Sequence, residues 1–143
     1  MSEDNKAAAR RFFEAWESGD LDALDDVVAA DAVDHDPYNP NGGDGLEGFK
    51  RTIAMYREAF PDVRFTVEDQ IADGDKVVTR WIARGTHRGE LMGFAPTGTE
   101  SELTGIGIDR FEDGKIVEAW GNWDTLAMMQ NIGAIPQPET AQA

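Results

Sequence analysis

Near its C-terminal end the chain reads EAWGNWDTLAMM, from Glu118 to Met129. Two tryptophans stand three apart, Asp124 follows directly on the second, and Leu126, Met128, Met129 and Ile132 then fall into helical spacing. A carboxylate among indoles at a strand-to-helix junction has two ordinary uses. It caps the first turn of the helix by accepting backbone N–H groups, or it is a base aimed into an apolar pocket, where desolvation raises its proton affinity. The two compete, because a carboxylate held by backbone donors is a poorer base. A regular strand would set Trp120, Asn122 and Asp124 on one face, with Asn122 either an inward amide donor or a residue at a strand end.

Asp34-His35-Asp36-Pro37 is the second cluster. An imidazolium set between carboxylates is a donor for a developing oxyanion, and the same residue is equally at home on a surface loop. Side chains adjacent in sequence do not converge easily on one ion, so no metal is expected there. Trp81 and Phe94 would add apolar wall to a pocket, and His87 shares the strand parity of Trp81, Ala83 and Gly85. It lines that face or sits at the strand's wet end. Arg110 shares parity with Ile106 and Ile108, which predicts an ion pair with an acid on a neighbouring strand. Gly105-Ile106-Gly107 is no dinucleotide loop, since no helix follows it.

Composition narrows the function classes. The 143 residues suit one domain, 1–143, with about 5–135 ordered and 136–143 a disordered tail. There are no cysteines, which excludes disulfides, thiolate metal sites and a cysteine nucleophile. Acidic residues number 28 against 13 basic ones, for a net charge of −15. Such a surface repels nucleic acid and anionic membranes and favours solubility. No apolar run approaches the roughly 20 residues of a membrane span, and the acidic N-terminus lacks the plan of a signal peptide. A cytoplasmic protein is expected.

The elements that would position these residues follow from periodicity. Ala9, Phe12, Phe13 and Trp16 mark an amphipathic helix ended by Gly19. Asp20 opens a second helix burying Leu21, Leu24, Val27 and Val28, and residues 31–45 form a Pro/Asn/Asp/Gly loop. Asp44 and Glu47 have capping-box spacing for a third helix carrying Phe49, Ile53, Tyr56 and Phe60, stopped by Pro61. The period then falls to two. Strands are predicted over about 63–68, 77–82, 100–111 and 116–123, with turns at Asp73-Gly74 and Asp113-Gly114 and a last helix over 125–132. Helices followed by an antiparallel meander give an α+β fold: a strongly curved sheet of about four long strands wrapped around helices, a cone with an internal pocket.

The segments FFEAWESGDLDAL, VDHDP, GFKRTIAMYREAFPDVRFTVED, GDKVVTRWIARGTHRGEL, GFAPTGTE and DRFEDGKIVEAWGNWDTLAMMQNIGAI resemble the SnoaL-like polyketide cyclase family, of the nuclear transport factor two-like superfamily, over about residues 5–135. The resemblance implies a cystatin-like cone, a homodimer or higher oligomer, and cofactor-free intramolecular aldol cyclisation or a related carbon-acid isomerisation of a small apolar carbonyl compound. It places the acid–base aspartate on Asp124 and the loop histidine on His35. Trp120, Asn122, Trp81, His87, Phe94 and Asp109 become candidate pocket residues. Two departures from the family pattern stand out: Ala119 replaces a histidine, and Gly107 replaces an aspartate that reappears two positions on, at Asp109. They favour, as the alternative, a non-catalytic binding module of the same fold; a third reading, an epoxide hydrolase-like enzyme, needs a polar network to hold a water, for which the sequence offers only a small Asp/Asn/Arg set.

Overall fold

The first helical pattern becomes α1 (Ser2–Ser18) in the computed structural model, which describes residues 2–37, 39 and 41–136. The expected tail from 137 onward lies outside the described residues. Gly19 ends α1 with φ of 76°, a conformation that costs glycine little. Arg57 then donates from Nη1 to the carbonyls of Trp16 and Glu17 in the last turn, at 2.7 Å each. The expected second helix is a short 3-10 turn, Leu21–Asp26, which buries Leu24.

Val28 starts a strand instead of ending a helix. β1 (Val28–Asp34) pairs in parallel with the last strand of the chain, so the loop begins at His35 rather than Asp31. α2 (Gly45–Ala59) buries Phe49 and Ile53 as their spacing predicts. Its capping box does not form: Asp44 makes no side-chain cap and instead pairs with Arg51.

β2 (Arg64–Asp73), β3 (Lys76–Thr86), β4 (Glu100–Glu112) and β5 (Lys115–Trp123) make the antiparallel meander, and the sheet order is β1-β5-β4-β3-β2. The sheet therefore has five strands, one more than the sequence pattern showed. Irregularities at Val28/Val33, Val67/Asp69 and Arg110/Phe111 interrupt the ladders, and such bulges bend strands. The curved sheet closes over α1 and α2, and α3 (Thr125–Asn131) packs against β4.

Two apolar clusters hold the layers together. One gathers Ala8, Ala9, Leu24, Phe49, Ile53, Phe111 and Ile116, and the other Ala59, Phe60, Leu91, Leu103, Met128 and Ile132. Among the described residues no helix is long and apolar enough to cross a membrane.

Candidate functional site

A cavity of about 200 Å³ lies between the clusters, bordered by Phe49 of one and by Phe60, Leu103 and Met128 of the other. It exists because the inward positions of the sheet are unusually small. Gly107 on β4, Ala119 and Gly121 on β5, and Ala83 and Gly85 on β3 all line it. Aromatic side chains form the walls: Phe12, Phe13 and Trp16 from α1, Tyr56 from α2, Phe65 from β2 and Trp81 from β3. Phe65 contacts Trp81 edge to face at 5.4 Å between centroids.

Gly105 is required for this packing. It pairs with Trp81 on one side and Trp123 on the other. A Cβ built on Gly105 would overlap the Trp81 indole at Cζ2, whereas one on Gly121 would meet nothing.

One end of the cavity is polar. Asp34, the last residue of β1, pairs with Ala119, and Ala119 pairs on its other side with Asp109 of β4. The Asp34 carboxylate accepts from Asp36 N at 3.0 Å and from Asn39 Nδ2 at 2.7 Å. Thr52 Oγ1 and Asn41 N donate in turn to Asn39 Oδ1, both at 2.9 Å. Asp36 accepts from Trp123 Nε1 at 3.0 Å.

Burial raises the Asp34 carboxyl above its ordinary value, against the two hydrogen bonds that stabilise its charge. Asp109 is pushed up further, to about 7, first by burial and then by the charge of Asp34. Tyr56 is pushed up to about 12 by burial and by the charge of Asp36, so it stays a neutral phenol. Asp109 keeps part of its surface accessible, and it lines the cavity. It can meet a ligand there while remaining poorly solvated.

The sequence-predicted residues divide into two groups. Trp81 and Asp109 line the cavity. Trp120, Asn122 and Asp124 do share a face, but it is the outer one. Ile116 is buried and opposite Phe111, whereas Glu118 is opposite Arg110, so Val117 is an extra residue. That bulge inverts the alternation, turning Ala119, Gly121 and Trp123 inward.

Asp124 is exposed and caps α3, accepting from Ala127 N at 3.0 Å through Oδ1. With Asn122 it borders a shallow outer groove with Arg80 and Ile106. Trp120 touches the cavity rim, yet its indole stacks on His35 at 5.2 Å. His35 meets Glu118 at 2.9 Å, and Glu118 also accepts from Arg110 Nε at 2.8 Å. His35, Asn122 and Asp124 are not part of the cavity lining.

His87 and Phe94 also lie elsewhere. β3 ends at Thr86, and His87 turns into the core with no exposed surface; Thr97 N donates to its Nδ1 at 3.2 Å. Phe94 is in a loop and 37% exposed. The sequence reading missed Asp34, Asp36, Asn39, Thr52, Tyr56 and Trp123 as lining residues. The signal for Trp123 was present as the run of small residues that shares its face, since small side chains opposite bulky helices leave space. Asp34 gave no such signal, because its strand pairs only with the distant β5. Among the described residues no group of three or more His, Cys, Asp or Glu is placed to hold a metal ion.

Comparison with known proteins agrees with this architecture. The family model for the SnoaL-like polyketide cyclases matches residues 6–132. Aklanonic acid methyl ester cyclase AcmA of Streptomyces galilaeus is 30% identical over 135 residues, covering 94% of this chain and 93% of AcmA. Among solved structures, IdmH of Streptomyces antibioticus, a candidate polyketide cyclase, is 37% identical with a TM-score of 0.78, covering 90% of this chain and 98% of IdmH. AclR of Streptomyces galilaeus, a candidate hydroxylase, is 27% identical with a TM-score of 0.84, covering 97% of this chain and 87% of AclR. A curved five-stranded sheet closed over two helices, matched in sequence along nearly its whole length, places the chain in the SnoaL-like polyketide cyclase family.

Proposed function

We propose that the protein is a cofactor-independent carbon-acid enzyme that closes a ring in a small, largely apolar carbonyl compound by intramolecular aldol addition, with Asp109 as its proton-handling group. The observation that carries this reading is the Asp109 carboxyl, pushed up to about 7 at the polar end of an aromatic cavity. A group with that midpoint is present in both forms at neutral pH, where a general acid or base works best.

The chemistry needs little else. A proton between two carbonyls is acidic enough for a poorly solvated carboxylate to remove, and the enolate formed attacks a second carbonyl of the same molecule. The aromatic walls hold the flexible chain folded, which lowers the entropic part of the barrier. Water is displaced as the ligand fills the cavity, so the charges that develop interact more strongly with the protein groups.

Asp124 remains the position that the family resemblance nominates. Its exposure and its bond to Ala127 N favour the helix-capping role. Ring closure of aklanonic acid methyl ester, the reaction named for AcmA, and of linear β-keto esters tests the assignment by chromatography and mass spectrometry. Asp109→Asn is expected to lower turnover about 10²–10⁴-fold, and Asp124→Asn to keep it within a few-fold. The opposite ranking would return the role to Asp124. Tight binding with no turnover by the wild type would favour a binding module.

A further inference from the structure

Asp34 and Asp109 are in register on either side of Ala119. Two strand spacings separate their Cα atoms by roughly 10 Å, and on the cavity side only the Ala119 methyl stands between them. The gap admits a small carbonyl-bearing segment with one carboxyl group at each end. We propose that the two carboxyl groups divide the proton transfers, Asp34 as the base that takes the carbon-bound proton and Asp109 as the acid that protonates the oxygen. The assignment rests on the carbon-acid reading above and names a second catalytic residue for it.

Hydrogen bonding separates the roles. The Asp34 oxygens receive a backbone N–H and the Asn39 amide, and Asn39 is itself fixed by Thr52 and Asn41. Donors of this kind stabilise the ionised form. Among the described residues no donor reaches the Asp109 carboxyl, whose surroundings favour the neutral acid. A pair of acids whose environments separate their proton affinities is the usual basis for an acid and a base at one pH. Among the described residues, the other charged or titratable groups facing the cavity are Asp36 from the loop after β1, Tyr56 from α2 and Arg84 from β3, and the α1 residues lining it are Phe12, Phe13 and Trp16.

The steps balance without a co-reactant. Asp34 takes the C–H proton, and the enolate carbon bonds to the second carbonyl carbon. The electron pair of that C=O bond moves to oxygen, which takes its proton from Asp109. Asp34 is then protonated and Asp109 ionised. Passage of one proton from Asp34 to Asp109 through water restores the start.

Deuterium uptake at C2 of methyl benzoylacetate in D2O, measured above background by NMR across pH 4.5–9, tests the division. For the wild type, catalysed uptake is expected to fall as pH rises through about 7, where Asp109 loses its proton. Asp34→Asn should lower uptake at least about 100-fold. In Asp109→Asn the group that titrates near 7 is gone, so the uptake that remains should lose the alkaline fall. Asn39→Ala removes one donor from Asp34 and should move the acid limb to higher pH, a readout that a purely structural role would not shift and that stands if Asp34→Asn does not fold. No uptake by the wild type overturns the carbon-acid reading together with this one. Uptake that survives Asp34→Asn, rises through pH 7, or keeps its acid limb in Asn39→Ala overturns the division alone.

Discussion

Asp34 and Asp109 flank Ala119 at matching positions on β1 and β4, and the charge on Asp34 helps hold the Asp109 carboxyl at about 7. The parallel β1–β5 pairing is what brings them together. A carboxyl group held neutral by its surroundings has consequences for stability as well as for chemistry.

Asp109 should make the folded state lose stability as pH rises. Its folded value of about 7 lies above the ordinary 3.8, so between those values the unfolded chain binds fewer protons. The stabilisation relative to the unfolded chain is complete below about 3.8 and lost as pH rises through about 7, up to about 4 kcal/mol for this group. Urea midpoints measured from pH 4 to 8 should therefore fall less steeply in Asp109→Asn than in wild type. Equal slopes would mean that Asp109 titrates normally.

Asp124→Ala removes the side-chain acceptor that meets Ala127 N. Loss of an N-cap of this kind costs about 1 kcal/mol, visible as a lower thermal midpoint. Ring closure measured below that midpoint should be nearly unchanged. A large loss of turnover in a folded variant would contradict the capping role.

Gly105→Ala and Gly121→Ala separate packing from space. The first drives a Cβ into the Trp81 indole, and overpacking of this sort costs about 1–3 kcal/mol. The second adds a methyl to open cavity floor. Its thermal midpoint should hold while affinity for the bulkiest ligands falls. Equal effects of the two on stability would argue against the positions given to Trp81 and Gly121.

His35→Ala breaks the contact with Glu118 and the stacking on Trp120. Both lie on the outer side of the sheet, and a solvent-exposed polar contact of this kind contributes little to stability. Thermal midpoint and turnover should both change little. A loss of turnover comparable to that of Asp109→Asn would bring His35 back into the site.

The sequence by itself determined the helices α1, α2 and α3 with the buried faces of α1 and α2, the meander β2 to β5 and the grouping of Trp120, Asn122 and Asp124. These depend on local periodicity, which neighbouring residues carry. The tertiary structure decided which side of β5 faces inward. Alternation defines two faces but does not say which one meets the helices, and counting regularly from the buried Ile116 would have put Trp120 and Asp124 inside. The extra residue Val117 opposite Arg110 and Phe111 reverses that count. β1 escaped the sequence reading because a parallel strand pairs with residues far along the chain and leaves no hairpin signal. So the carboxylate in EAWGNWD caps a helix, and the two strand carboxylates that face the cavity, Asp34 and Asp109, are brought into one row only by the packing of the sheet.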